Sequence, residues 1–148
     1  MTLNELYDYA NKLEIDVFSK HLNVSKGLAV EYKGVRAIAI DTHAIEVEAE
    51  EKRVLSEEIA HLECGLTYSL KQIHSPIYTI IVHKAETQAR HKSAQRLVPF
   101  DELKIAVEKY YCREVWQIAE YFQVPDKTVE DALEYYTSMG MEIRVHEE

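Results

Sequence analysis

Five consecutive residues carry the chemistry that this chain could perform: Glu57-Glu58-Ile59-Ala60-His61. On a helix each residue turns by about 100°, so positions four apart lie about 40° apart on one face. Glu57 and His61 can therefore reach a single ion. This is the layout of the zincin pattern H-E-x-x-H. There, two ligands hold zinc, and the Glu beside the first takes a proton from activated water. Glu58 holds the place of that Glu, and His61 the second ligand place. Glu57 stands where the pattern has His. A carboxylate is an accepted zinc ligand, but its charge lowers the ion's effective charge and weakens the activation of water. Neighbouring carboxylates also raise each other's pKa unless a cation lies between them. The same residues suit an ordinary charged helix surface, where a lone His is structural or solvated.

A second stretch, Lys84-Ala85-Glu86-Thr87-Gln88-Ala89-Arg90, follows at about a loop's length. Glu86 lies where a third, carboxylate ligand would come from the next helix. Ala89, three residues on, permits close helix contact. His83 precedes Glu86 by three residues, about 60° away on the same face, and is the candidate to supply the missing imidazole. His91 falls about 140° round the helix and faces elsewhere. His74 would need its loop to fold over the site.

The elements that must position these residues read as follows. Leu3, Leu6, Tyr7, Ala10 and Leu13 form a helical stripe. Leu28–Tyr32 and Val35–Ile40 flank Lys33-Gly34 and read as a β-hairpin, with a third short strand near Ile15–Phe18. From Glu48 the pattern turns helical, with Val54, Leu55, Ile59 and Leu62 in phase and Gly65 as a stop. A loop from Leu66 to Pro76 leads to a long helix over Tyr78–Leu97. Asp101 is read as the cap of a helix through Val107, followed by helices over Arg113–Phe122 and Asp126–Met139, with Gly140 as C-cap. The fold class is α+β: a small antiparallel β-sheet with a helical majority. A chain of 148 residues fits one domain. Within it, 1–50 forms the first helix and sheet, 51–98 the motif helices and 99–148 the C-terminal helices.

Composition narrows the function classes. The net charge of -9 opposes direct nucleic-acid binding, which needs clustered Lys and Arg. The longest uncharged apolar run, Ile77–Val82, is far too short for a membrane span. Met1–Ala10 holds Glu5 and Asp8 and no basic residue, so no export signal is read there and a cytoplasmic location is expected. Cys64 and Cys112 form no CxxC pair and are expected as free thiols.

Taken in order, E-E-x-x-H, then E-x-x-A-R, then Leu97-Val98-Pro99, then the tail Trp116-Gln117-Ile118-Ala119-Glu120-Tyr121-Phe122-Gln123-Val124-Pro125 resemble the ImmA/IrrE family. The likeness is to its phage and mobile-element members, some of which carry Glu at the first ligand place. Lys26-Gly27-Leu28 and the Gly34 turn before strands agree with it. The resemblance covers nearly the whole chain and rests on order and spacing. It implies a zincin-like minimal peptidase domain, with Glu57, His61 and Glu86 as zinc ligands and Glu58 as the catalytic carboxylate. It also implies a substrate: a helix-turn-helix repressor of the mobile element, cut at one site. The alternative is a peptidase-fold binding module that engages such a regulator without cutting it.

Two rivals fare worse. Gln117–Leu133 has the apolar pattern of a helix-turn-helix, but its second helix would present Glu130, Asp131 and Glu134 to phosphate. Glu58-Ile59-Ala60-His61 has di-iron spacing, but such sites need a second copy, which the sequence lacks. Of the ten tyrosines, Tyr110, Tyr111, Tyr121, Tyr135 and Tyr136 fall on the C-terminal helices and are expected in the core with hydroxyls at its rim.

Overall fold

The computed structural model describes residues 1–65, 76–141 and 143, and of residues 76–79 the backbone alone. The loop read between Leu66 and Pro76, with His74 in it, lies outside the described residues, except that Pro76 already opens a helix. The order is α1 (Leu3–Lys12), β1 (Ile15–Ser19), β2 (Gly27–Tyr32), β3 (Val35–Ile40), α2 (Glu48–Glu63), α3 (Pro76–Leu97), α4 (Phe100–Glu108), α5 (Val115–Phe122) and α6 (Asp126–Ser138). The fold is α+β, as its periodicities indicate. Among the described residues, no helix is long and apolar enough to cross a membrane.

The sheet differs from expectation in one respect. Its order is β1-β3-β2, with β2 antiparallel to β3 but β1 parallel to it. The tight Lys33-Gly34 turn, both residues at positive φ, enforces the antiparallel hairpin. Residues 20–26 are long enough to carry the chain from β1 past a vacant position to β2. That gap of two strand spacings, about 9.6 Å, is filled by β3. Ile15, Ile38 and Ile40 turn inward against Leu6 and Ala10 of α1 and Leu55, Ile59 and Leu62 of α2. Phe18, Leu28, Val30 and Tyr32 stay exposed.

The helical half closes around Leu97, Val98, Leu103, Ile118 and Val129. Asp101 is not the cap of α4. Pro99 is, in extended conformation, its carbonyl accepting from the Leu103 N–H at 2.9 Å, which leaves Asp101 in the first turn beside the positive end of the helix dipole. Gly140 follows α6 at φ +73, the left-handed position that ends a helix. The tyrosines divide. Tyr136 is buried, its hydroxyl donating to the Val98 carbonyl at 2.8 Å, whereas Tyr110, Tyr111 and Tyr121 face solvent. They lie on or beside short helix ends whose inner faces are already filled by Ile118, Ala119 and Phe122.

Candidate metal centre

Helix α2 is pinned before it can position anything. Its Lys52 is buried and donates to the Phe122 carbonyl at 2.6 Å and the Gln123 carbonyl at 3.4 Å, at the left-handed end of α5. Burial pushes that ammonium below its ordinary range. On the other side, Arg96 of α3 donates to Ser56 O at 3.0 Å and Ser56 Oγ at 3.2 Å, and pairs with Glu63. Glu63 also accepts from the Tyr9 hydroxyl at 2.6 Å and lies 3.3 Å from Lys92. These ties join α1, α2 and α3.

Between them, His61 and Glu86 meet. His61 is buried, and its Nε2 lies 3.4 Å from Glu86 Oε2. Two ligands of one tetrahedral zinc, each about 2.1 Å from it, stand about 3.4 Å apart, so this pair fits an ion. The fully buried Ala89, one turn on from Glu86, keeps α3 close-packed at this level.

Glu58 faces the sheet. A Cβ built on Gly27 would stand 2.8 Å from Glu58 Cγ and Oε1, so the carboxylate occupies the space that a side chain would take. The Asp41 N–H donates to the Lys26 carbonyl at 2.9 Å. By the alternation of an antiparallel ladder, residues 28, 30 and 32 then bond to β3, and the backbone groups of Ala29 and Glu31 point to the outer edge of β2. Burial pushes the Glu58 carboxyl up to about 7; the Ala29 N–H opposes this, and the charges of Glu57 and Glu86 add to it.

Glu57 turns elsewhere. Arg53, one turn back, holds it at 2.6 Å. Burial raises its carboxyl, while Arg53 and Arg90 lower it. His83 is exposed and lines a pocket of about 550 Å³ with Ile80, Lys84, Thr87 and Gln88. Among the described residues, no three His, Cys, Asp or Glu side chains are drawn together as a metal-binding group. The structure brings His61 against Glu86, with Glu58 near enough to feel the Glu86 charge, while Glu57 is engaged by a guanidinium.

Three features were missed in the sequence. Arg53 was legible as a basic residue four before Glu57, the spacing of a helical ion pair. Arg96, just before Leu97-Val98-Pro99, gave no local sign of its reach to Ser56 and Glu63. Gly27 carried no local sign of its role, because the crowding comes from a helix more than twenty residues away. Comparison with known proteins finds no matching family model, no matching curated protein and no matching solved structure.

Proposed function

We propose that this chain is a zinc-dependent endopeptidase whose substrate is a helix-turn-helix repressor of a phage or mobile element. The observation that carries the reading is the 3.4 Å approach of His61 Nε2 to Glu86 Oε2, beside a Glu58 seated against Gly27 of the outer strand β2. His61 and Glu86 would hold the ion, and Glu57 would join them on leaving Arg53. Zinc bound there supplies Lewis acidity to a peptide carbonyl and to water. Glu58 accepts the proton of the attacking water and returns it to the departing amine. Burial suits it to both steps near neutral pH. An extended segment pairing with the Ala29 carbonyl and the Glu31 N–H and carbonyl, on the outer edge of β2, would run past Glu58, which takes the Ala29 N–H.

A second reading has its own support. The Arg53–Glu57 pair gives the first ligand place an organic cation in place of a metal, which suits a binding module that engages the same regulator without cutting it. One experiment separates the two. The purified chain, with zinc, is mixed with the helix-turn-helix regulator encoded nearest its gene, and intact masses are recorded. A single cut, lost in Glu58→Gln with the fold retained, supports the peptidase. A stable complex with no cut supports the module, and neither cut nor complex removes both.

A further inference from the structure

Away from the α2–α3 site, a groove of about 890 Å³ runs between the start of α5 and the outward face of α6. Glu114, Asp126, Glu130 and Glu134 line it together with Trp116 and Leu133, and none of its described lining residues is basic. Asp126, Glu130 and Glu134 are spaced one helical turn apart, so three carboxylates stand in a row. Lys127 lies 3.5 Å from Glu130 but 3.0 Å from the buried Asp131, which draws it round the helix. Like charges at this spacing repel, and Lys127, shared between Glu130 and Asp131, offsets only part of that charge. Trp116 is 54% exposed and also walls an adjoining hollow of about 320 Å³ with Tyr110 and Tyr121. An indole face is the best aromatic partner for a cation, and Trp and Tyr dominate the binding energy of protein interfaces.

We infer that this groove docks a Lys- or Arg-rich helical segment of a protein partner. Cations one turn apart on the segment meet Asp126, Glu130 and Glu134, and its aliphatic flank lies on Trp116 and Leu133. The one-turn spacing of the carboxylates is what favours a helix over an extended peptide. A DNA-binding regulator carries such segments where it meets phosphate. The inference nevertheless stands apart from hydrolysis, because docking needs neither zinc nor Glu58.

Trp116 is the single tryptophan of the chain, so its fluorescence reports on the groove directly. The probe is a synthetic Ala-rich peptide of about 20 residues, beyond the length at which isolated helices are marginal in water, with Lys repeated every fourth position. The full-length chain is titrated with it, and then with the same peptide carrying Glu for Lys. A saturable emission shift is expected with the Lys peptide alone, weakening as salt rises. Glu130→Gln with Glu134→Gln, both exposed and checked by circular dichroism, should weaken it at least about tenfold. Chelator-treated protein and Glu58→Gln should bind as the wild type does, so failure here is distinguishable from failure of the peptidase reading. The absence of a saturable shift, undiminished binding by the double variant, or equal binding of the Glu peptide would overturn the inference. So would an equal shift from spermine, which would assign the groove to a small polyamine.

Discussion

Replacing Gly27 by Ala tests the join between sheet and motif helix. The added Cβ would lie 2.7 Å from Val54 Cγ1 and 2.8 Å from Glu58 Cγ and Oε1. Carbon atoms in contact rest at about 3.5–4.0 Å, so β2 and α2 must part by roughly 1 Å or Val54 must leave its rotamer. Overpacking of this kind costs about 1–3 kcal/mol. The φ of Gly27 is not positive, so Ala is tolerated by the backbone, and its smaller unfolded-state entropy returns about 0.4–1 kcal/mol. A net loss of about 1–2 kcal/mol follows. In urea, with a slope of about 2 kcal/mol per molar, the midpoint should fall by about 0.5–1 M at unchanged slope. Val54→Ala in the same chain should relieve the clash, so that the double variant loses less than the two single losses added together. A Gly27→Ala midpoint equal to or above that of the wild type would refute the packing argument, because only the entropic effect would remain. The proposed cleavage should fall too, since Glu58 is displaced with α2.

Other outcomes follow from the same contacts. Lys52→Met keeps the volume but strands two carbonyls at the end of α5; a loss of about 1–3 kcal/mol by urea unfolding is expected. Asp41 is fully buried, and the Leu22 N–H, then His21 and the Ala44 N–H, hold its carboxyl below the ordinary carboxylate range. A depressed native pKa contributes stability above the unfolded value, lost as pH falls through the native one. Unfolding midpoints followed from pH 6 downward should therefore drop less steeply in Asp41→Asn than in the wild type below about pH 4. Arg53→Ala frees Glu57, and isothermal titration should show tighter zinc binding than in the wild type; unchanged affinity would mean that Glu57 takes no part.

Much of the frame was legible because local chemistry and tertiary packing agree. Leu6 and Ala10, Ile38 and Ile40, and Leu55 and Ile59 are both the periodic apolar residues and the buried ones. The parallel placement of β1 was not legible, because it depends on how residues 20–26 cross the sheet and not on any residue's propensity. Asp101 misled because Pro99 starts the helix first. Tyr110, Tyr111 and Tyr121 misled because bulk and apolar character alone do not say that the inner face is already full. At the site, i,i+4 spacing brought Glu57 and His61 to one side of α2, but spacing is indifferent to a competing cation, and Arg53 sits at the same interval on the other side. The approach of Glu86 to His61 was expected only from the order of motifs. Its cause is long-range, lying in the Arg96, Ser56 and Glu63 contacts that fix α3 against α2.

The most direct test of the account is zinc content per chain, measured by mass spectrometry of metals on untagged protein purified without chelator. Wild type, His61→Ala and Glu86→Gln are compared, each checked for fold by circular dichroism. The account predicts near-stoichiometric zinc in the wild type and its loss in both variants. A folded wild type that takes up no zinc, or variants that hold as much as it does, would contradict it.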